Sequence, residues 1–332
     1  MNELRPTRLA EVIGHARAKR TLRVLLRAAQ RKHKPLPPLL FTGPPGLGKT
    51  TMASVLAAEM DAPLWQAHAE GLTLDAIRKQ LQTLAPGTVL FIDEIHSLPA
   101  KTAEIYYGVM EDGCFTLDGQ QIQVPPCTVI GATTHSGSLP EPLRRRFAHI
   151  FPLDFLEPRD LATIAWYAAW RLGTAIEAGA CWQIALRAKG APRRAVQLVE
   201  WLADCAQAQE LPGTLHAAAA AARPQLVEAL ALQALRLRGI DQNGLDELDR
   251  RYLAVLAQQF SNGPAGVRAL SAALGEPEVT LIREVEPWLI REGWIALTPG
   301  GRVRVASAGR RSRSKAPRAA RRPARLRLKE KP

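Results

Sequence analysis

The sequence predicts an α/β domain with a parallel sheet flanked by helices, then a helical domain, then a small domain of three helices and a β-hairpin. In the first half, short apolar runs alternate with helical patterns, which indicates a parallel sheet covered on both faces. After Pro158 the strand signals stop, and helical patterns continue to about Leu237. A third pattern begins near Asp246. The length of 332 residues allows two or three such units.

Three apolar runs are the predicted strands of the first domain. They occupy Leu39–Thr42 and residues 88–92 and 128–130. The first leads through a Gly/Pro-rich turn into a helical pattern from Lys49 to Met60, the second ends in two acids, and the third ends in Gly131-Ala132-Thr133-Thr134. In the second domain, Trp166 and Trp170 have helical spacing, and we expect them in a core.

Three helical patterns and a hairpin make up the third predicted domain. The helices cover residues 246–260, 267–274 and 278–292. Apolar runs at residues 294–297 and 303–305 flank the turn Pro299-Gly300-Gly301, which favours a hairpin. The pattern therefore predicts a helical triplet that is closed by two short strands.

The positive charge of the chain is concentrated at its C-terminal end. The formal net charge is +13, and residues 302–332 contain 13 basic side chains and one acid. Residues 1–301 contain 31 basic and 30 acidic side chains, so the body is nearly neutral. After Ala306 the sequence is rich in Arg, Ser, Pro and Ala without apolar periodicity. We therefore expect residues 307–332 to form a basic, disordered tail.

The composition argues against secreted, membrane and zinc-binding classes. The first ten residues carry charges where a secretory signal needs an apolar run, and no stretch offers about 18 consecutive apolar residues. The cysteines form no CxxC pair and lack the spacing of zinc ligands: Cys114, Cys127, Cys181 and Cys205. We expect buried thiols in a reducing compartment, and so a soluble cytoplasmic protein without a membrane segment.

Residues 43–50, GPPGLGKT, match the pattern GxxxxGK[ST] between a predicted strand and a predicted helix. Glycines such as Gly46 and Gly48 let backbone N–H groups wrap phosphates, and the N-terminus of the next helix adds a favourable dipole. Lys49 would neutralise the β- and γ-phosphates of ATP, and the Thr50 hydroxyl would ligate Mg²⁺. The alternative, a chance Gly/Pro loop, does not explain the strand before it and the helix after it.

Two further strand ends carry polar groups suited to phosphate chemistry. Asp93 ends the second strand near the expected metal, and Glu94 beside it would polarise the attacking water. A solvated strand end is the alternative for these two acids. After the third strand, the hydroxyl of either Thr133 or Thr134 would contact the γ-phosphate or the water, with a polar strand terminus as the alternative. We assign no role to His96.

Two arginine positions are candidates for contact with the γ-phosphate. Residues 143–147, LRRRF, place three arginines shortly after the third strand. A guanidinium on the γ-phosphate is often supplied in trans by a neighbouring subunit, although a solvated basic turn is the alternative. Residues 190–193, GAPR, open a helix of the second domain, from which Arg193 would reach the same phosphates.

In this order the motifs resemble the AAA+ ATPases, and more specifically the RuvB family of Holliday-junction branch-migration motors. The similar segments cover about residues 4–305: 4–6, 43–51, 90–96, 110–112, 131–134, 142–147, 190–193, 244–251, 263–267, 286–294 and 298–302. The resemblance implies a P-loop AAA+ domain at residues 1–157, an all-α lid at 158–240 and a winged-helix DNA-binding domain at 241–306. It also implies ATP and Mg²⁺ as cofactors, and a homo-hexamer around duplex or branched DNA.

The resemblance carries functional roles to individual positions of this chain. Lys49 and Thr50 match nucleotide and Mg²⁺ residues, Asp93 and Glu94 the Walker B pair, Arg146 the trans arginine finger and Arg193 the second sensor. We also expect Thr51 among the nucleotide-binding residues and Thr134 among the catalytic residues. Leu4 and Arg5 match contacts on the adenine side of the nucleotide, and Leu156 is also expected beside the nucleotide. The neighbouring subunit is expected to approach Glu111, Asp112 and Gly113. Arg302 matches a DNA-contacting arginine of the wing. Thr50 and Asp93 are the expected metal-binding residues.

The chain departs from the family pattern at four places. The hairpin that docks on a RuvA-type partner is shortened to residues 113–124, which argues against the same docking. Leu297 and Gly300 stand where the wing often has arginines, and Leu156 replaces an aromatic residue. The Ala-rich residues 207–222 and the basic tail are additions.

The resemblance therefore predicts an ATP-driven DNA motor for branch migration in recombination and repair. An initiator-like AAA+ switch, which couples an ATPase to a winged helix without translocating, is the main alternative. A clamp-loader-like remodeller fits less well, because its C-terminal domain is usually a helical collar without a wing.

We predict that deletion of residues 307–332 weakens binding to duplex DNA and makes that binding less dependent on salt. A disordered Arg-rich segment contacts phosphates without reading bases, and each such contact adds to the salt dependence. The measurement is the slope of log K against log salt concentration for the full-length and the truncated proteins. An unchanged slope would leave a solubilising extension as the better interpretation of the tail.

Overall fold

The computed structural model describes residues 6–117, 119–208 and 225–305. Leu4, Arg5, most of the Ala-rich residues 207–222 and the basic tail lie outside the described residues. The predicted fold class is confirmed: a parallel sheet flanked by helices is followed by helices and by a helical triplet with a hairpin. The predicted domain boundaries stay predictions.

A five-stranded parallel sheet forms the first part of the described chain. Its strands are β1 (Leu39–Thr42), β2 (Leu64–His68), β3 (Val89–Asp93), β6 (Thr128–Thr133) and β7 (His149–Pro152), in the order β2-β3-β6-β1-β7. The three central strands coincide with the three predicted apolar runs, because they are buried almost throughout. The two edge strands, β2 and β7, have no such signal, because they are partly exposed and contain polar residues.

Alternating side chains divide the central strands between two cores. Phe41, Phe91 and Ile130 lie in one cluster with the helices α1 (Ala16–Lys32) and α2 (Lys49–Glu59). Their neighbours, including Leu40, Leu90 and Val129, lie in a second cluster on the other face. The second cluster packs against α3 (Leu74–Gln82), α4 (Ala100–Glu111) and α5 (Glu141–Arg146). The sheet is thus covered on both faces, as its apolar strands predict.

A short antiparallel hairpin and a helical unit follow in the chain. The hairpin consists of β4 (Cys114–Leu117) and β5 (Gln120–Gln123). The helices are α6 (Pro158–Arg171), α7 (Ala178–Arg187), α8 (Pro192–Ala208) and α9 (Glu228–Leu237). Two parallel two-residue strands, β8 (Ala175–Ile176) and β9 (Gln225–Leu226), also join this unit, and they are too short to give a sequence signal.

The expectation that Trp166 and Trp170 are core residues is wrong. Their exposed fractions are 39% and 52%, because the buried side of α6 is formed by Leu161, Ala165 and Ala169. Among the cysteines, Cys114, Cys181 and Cys205 are buried as expected, whereas Cys127 is only partly buried. No helix of the described residues is both long and apolar enough to span a membrane.

The third unit is a helical triplet with a β-hairpin. Its elements are α10 (Glu247–Gln258), α11 (Val267–Leu274), α12 (Glu278–Thr280), a π-helical segment (Leu281–Val285), α13 (Glu286–Arg291), β10 (Ile295–Thr298) and β11 (Gly301–Arg304). Asp246 caps α10, since its side chain accepts from the Asp249 N–H while the Asp249 carboxylate accepts from the Asp246 N–H.

A buried carboxylate joins the hairpin to the helices of this unit. Glu286 is 3% exposed, accepts a hydrogen bond from the Tyr252 hydroxyl at 3.0 Å, and forms a two-point ion pair with Arg302 at 2.9 and 3.0 Å. Burial raises the pKa of Tyr252, and the Glu286 charge raises it further. The network therefore keeps the Tyr252 hydroxyl protonated.

We predict that Glu286→Leu destabilises the winged-helix unit by about 3 kcal/mol, because it leaves the Arg302 guanidinium without its partner. Chemical unfolding followed by the fluorescence of Trp288 and Trp294 would measure the change. Arg145→Ala is the control: it breaks an exposed Arg145–Glu141 pair within one helix and should change stability by less than about 0.5 kcal/mol. Equal effects of the two substitutions would contradict a structural role for the buried pair.

Candidate functional site

The loop after β1 is shaped by glycines with left-handed backbone torsions. Gly43, Gly46 and Gly48 have φ of 135°, 77° and 95°. A Cβ atom on Gly43 would lie 2.1 Å from the Leu153 carbonyl oxygen, so only glycine fits there. Gly48 is the N-cap of α2, and the loop therefore ends with the N–H groups of a helix N-terminus.

Lys49 lies at the first position of α2 and is 6% exposed. Its ammonium donates to the carbonyl oxygens of Gly43 and Pro44 at 2.8 and 3.1 Å. Burial lowers the pKa of Lys49, the charges of Glu94 and Asp93 oppose that effect, and Arg193 adds to the lowering. The Lys49 side chain is thus held against the loop, where the charges of Asp93, Glu94 and Arg193 act on its ammonium. Thr50 and Thr51 follow in the first turn of α2 and are partly buried.

The carboxyl ends of β1, β3 and β6 meet at one edge of the sheet. Asp93 is the last residue of β3, and its Oδ1 accepts from the Glu94 N–H at 3.0 Å. Glu94 itself has φ 48° and ψ 45°, a left-handed conformation that turns its side chain towards the neighbouring strand β6.

Thr134 is the main partner of Glu94. The Thr134 hydroxyl lies 2.9 Å from both carboxylate oxygens, and its backbone N–H donates to Oε2 at 3.0 Å. Burial alone would raise the pKa of Glu94. The hydrogen bonds from Thr134 and the charges of Lys49 and His96 outweigh burial, so the pKa lies below its ordinary value. Of the two threonines at this strand end, Thr134, the expected catalytic residue, is the one that contacts Glu94.

Two histidines surround this pair, and sequence reasoning gave a role to neither. His96 Nδ1 lies 2.9 Å from the Thr133 hydroxyl and 3.3 Å from Glu94 Oε2. His135 Nδ1 lies 3.1 Å from the Thr134 hydroxyl, and the two imidazole centroids are 5.2 Å apart. Burial lowers the pKa of His96, and although Glu94 opposes this, the pKa stays below its ordinary value. Only the packing of β3 against β6 brings these rings together.

Arg193 approaches the glycine-rich loop from α8. Its backbone N–H lies 3.3 Å from the Gly46 carbonyl oxygen, and its Cβ would lie 3.5 Å from a Cβ built on Gly46. The predicted position of Arg193 beside the loop therefore has a geometric basis in the contact between α8 and Gly46.

Arg146 lies at the end of α5. Among the residues that the structure describes, its contacts are with α4 and with its own helix, and not with the glycine-rich loop or Glu94. Its guanidinium donates to Glu111 at 3.1 Å and to the Pro142 carbonyl at 2.8 Å, and lies 4.3 Å from the centroid of the Tyr107 ring. Its Nε is buried and has no acceptor within the described residues. Glu111 thus contacts Arg146, and Asp112 and Gly113 follow as the C-cap of α4 and a left-handed glycine at φ 65°.

Leu156 is buried against the segment that precedes α1. A Cβ on Gly14 would lie 2.4 Å from Leu156 Cδ2, and the next residue, His15, has Nε2 3.1 Å from the Leu47 carbonyl oxygen. The aromatic side chain of this region belongs instead to Phe155, which lines a cleft beside the loop.

The winged-helix unit contacts Phe155 and Glu157, in the segment between β7 and α6, which the sequence did not predict. Trp288 packs edge-on against Phe155 with centroids 6.1 Å apart, and Arg291 lies 3.6 Å from Glu157. Arg302, the predicted DNA-contacting residue, has its guanidinium on Glu286, so a DNA contact would require that pair to open or to be shared. Its DNA role stays a prediction.

Comparison with known proteins identifies the family. Residues 4–153 match the family model of the Holliday junction DNA helicase RuvB P-loop domain, and residues 242–309 match that of the RuvB C-terminal winged helix domain. The chain belongs to the RuvB family. Among RuvB relatives, it is 41% identical to Holliday junction branch migration complex subunit RuvB 2 of Synechococcus sp. (strain JA-3-3Ab), over 92% of this chain and 82% of the relative.

Solved RuvB structures share the fold of this chain. The Thermotoga maritima RuvB Holliday junction branch migration motor superposes with a TM-score of 0.82 at 35% identity, covering 92% of this chain and 96% of that one. A single-site variant of Thermotoga maritima RuvB gives a TM-score of 0.83 at 35% identity, covering 91% of this chain and 96% of that one. The resemblance seen in the motifs is therefore confirmed at the level of family and fold.

We predict that Thr134→Val lowers the free energy of unfolding by about 1.5–3 kcal/mol at pH 7, because it removes the hydroxyl that donates to ionised Glu94. A carboxyl with a depressed pKa stabilises the fold above its ordinary value of 4.5, and this stabilisation is lost as pH falls through its lower value in the folded protein. The difference between wild type and variant should therefore shrink below pH 4.5.

Urea unfolding at a series of pH values would measure this difference. Thr83→Val is a matched control, because the Thr83 hydroxyl donates only to backbone carbonyls, those of Lys79 and Gln80. The cost of that control should not vary with pH. A pH-independent cost for Thr134→Val would contradict the assignment of its hydroxyl to the Glu94 carboxylate.

Proposed function

We propose that this protein is an ATP-dependent DNA motor that drives branch migration of Holliday junctions. The observation that carries the proposal is the meeting of Lys49, Glu94 and Thr134 at one edge of the sheet, with Arg193 beside the loop, in a chain of the RuvB family. The Synechococcus relative named above is a subunit of a branch migration complex, and the Thermotoga maritima structure is a branch migration motor, which supports the same role here.

The residues present fit a nucleoside triphosphate with Mg²⁺. The left-handed glycines open the backbone N–H groups of the loop, and the buried Lys49 ammonium and Arg193 supply positive charge. Thr50 and Asp93 provide the hydroxyl and carboxylate oxygens that Mg²⁺ prefers. When bound, Mg²⁺ would offset charge on the phosphates. Gly46, Gly48 and Thr51 contribute backbone to the same cradle.

Glu94 is suited to orient the attacking water because it is ionised and held in one direction. Its depressed pKa keeps the carboxylate as a hydrogen-bond acceptor, and Thr134 restrains it from β6. Thr134 is also the residue that would sense the γ-phosphate, since its hydroxyl bridges the acid and the strand end. Loss of the terminal phosphate would then change the position of Glu94 through its hydrogen bond with Thr134.

Arg146 would complete the site of a neighbouring subunit. Its guanidinium is held on Glu111 and Tyr107, and the described chain shows no contact from it to Lys49 or Glu94. An arginine finger supplied in trans makes hydrolysis depend on assembly. We therefore propose a ring, with a homo-hexamer as the expected form, in which Glu111, Asp112 and Gly113 lie at the subunit contact.

DNA binding and partner binding are assigned to other surfaces. The wing and the basic tail would contact the phosphates of duplex or branched DNA. A RuvA-type partner would have to dock on a hairpin of two four-residue strands, β4 and β5. This hairpin is short, and the exposed side chains of its second strand are glutamines, so we propose that contact with such a partner is weak or is supplied by another surface.

We predict that the purified protein with ATP and Mg²⁺ migrates a synthetic four-way junction, and that Arg146→Ala binds ATP but hydrolyses it at least about 10³-fold more slowly. Arg145→Ala is the matched control, because Arg145 is exposed and pairs only with Glu141 on the same helix. Hydrolysis without junction migration, with and without a RuvA-type partner, would favour the initiator-like switch.

Mixing two inactive variants tests the trans arrangement. Glu94→Gln subunits keep the finger, and Arg146→Ala subunits keep the acid, so mixed rings should regain part of the ATPase activity. The measurement is the steady-state rate of phosphate release as the ratio of the two variants is changed. Absence of any recovery, with ring assembly intact, would argue that Arg146 acts within its own subunit.

A further inference from the structure

A cleft of about 280 Å³ lies between the glycine-rich loop, α8 and the π-helical segment of the winged-helix unit. Its walls include Pro44, Pro45 and Gly46 from the loop, Arg193 and Arg194 from α8, and Arg283 and the exposed Glu284 from the π-helical segment. The winged-helix unit thus faces the glycine-rich loop of the proposed ATP site across this cleft. A π-helical turn within a helix is often found at functional sites.

The cations around this cleft fall into two groups. Lys189 and Arg194 are neutralised by the start of α10: Lys189 contacts Asp246 at 2.7 Å and also Asp249, and Arg194 contacts Asp246 at 3.2 Å. Burial raises the pKa of Asp246, but the charges of Lys189 and Arg194 outweigh it and hold the pKa well below its ordinary value. These cations therefore serve the contact between α8 and α10.

Arg193 and Arg283 form the second group. Neither guanidinium has a hydrogen bond or an ion pair with a carboxylate in the part of the chain that the structure describes. Two unpaired guanidinium groups that face one cleft repel each other, and an anion between them removes that cost. The cleft is therefore suited to a strongly negative group.

Buried donors around the cleft support the same conclusion. Of the seven buried side-chain atoms without a partner within the described residues, four are N–H groups of this region: Arg194 Nε, Arg283 Nε, Trp288 Nε1 and Arg291 Nη1. Unsatisfied buried donors are uncommon in proteins, and a group of them calls for an acceptor. Phosphate oxygens are acceptors that can serve several donors at once.

Arg283 shares the cleft with Pro44, whose carbonyl oxygen accepts from the Lys49 ammonium at 3.1 Å. Burial lowers the pKa of His96, and the Glu94 charge opposes this effect. The charges of His135 and Arg283 each lower the pKa of His96 further. His96 itself lies 3.3 Å from Glu94. The terminal phosphate of a bound nucleotide would be the phosphate closest to Glu94, since Glu94 orients the water that attacks it.

We propose that Arg283 binds the terminal phosphate of ATP from the winged-helix unit of the same chain, opposite Arg193 on α8. This inference rests on the proposed ATP site. The contact would be present with ATP and absent with ADP, so the winged-helix unit would be fastened to the nucleotide loop only before hydrolysis. Arg283 would in this way transmit the nucleotide state directly to the DNA-binding unit.

The test compares the binding of ATPγS and ADP to the full-length protein. Arg283→Ala should weaken ATPγS binding about tenfold or more, as expected for the loss of a charge-assisted hydrogen bond, and should change ADP binding less than about twofold. Arg283→Gln, which keeps most of the side chain, should give the same result if the folding of the alanine variant is impaired. Arg268→Ala, at an exposed arginine on α11, is the matched control.

The outcomes distinguish the inference from the function on which it rests. Equal losses for both nucleotides, or no loss for either, would overturn the role of Arg283. Weaker binding of duplex DNA without nucleotide, with ATPγS affinity unchanged, would also overturn it and would make Arg283 a DNA contact. If the wild type binds neither nucleotide, or if Lys49→Ala leaves binding unchanged, the ATP site itself fails and the inference fails with it.

Discussion

The parallel pairing of β1 with β6 and of β6 with β3 is the constraint on which the candidate site depends. Thr42 is in register with Thr133, and Ile92 with Gly131, so three strand ends reach the same edge of the sheet. The loop after β1 then begins beside Thr134 and Glu94, and hydrogen bonds between residues 40 positions apart become possible. Burial of the strands on both faces holds this register, since a shift by one residue would turn core side chains to the wrong face.

The electrostatics of the site follow from how little water reaches it. Lys49 is buried among carbonyl oxygens and near two carboxylates, and Glu94 receives three hydrogen-bond contacts from a single residue. Both side chains are therefore oriented by the protein before any ligand is considered. Preorganised charges of this kind act more strongly than the same charges in water.

The arginines of the chain differ in what they contact, and this separates their roles. Arg302 is used to hold the hairpin on the helices through Glu286, and Arg194 holds α8 on α10 through Asp246. Arg146 is restrained at the surface by Glu111 and Tyr107, far in sequence from the glycine-rich loop. In contrast to these three arginines, Arg193 and Arg283 face the cleft without a carboxylate partner among the described residues. One lies on α8 and the other on the winged-helix unit, so positive charge reaches the cleft from both units.

Motif spacing and apolar periodicity were sufficient to predict the α/β sheet, the glycine-rich loop, Asp93, Glu94, and the order of the three units, because these depend on short-range patterns. Residue patterns could not predict the edge strands, the exposure of Trp166 and Trp170, or the contact of Thr134 with Glu94. The histidines around Glu94, the ion pair of Arg302 and the position of Arg283 at the cleft were equally out of reach. Each of these depends on which elements pack together over long sequence separations, and only the tertiary structure brings those residues into contact.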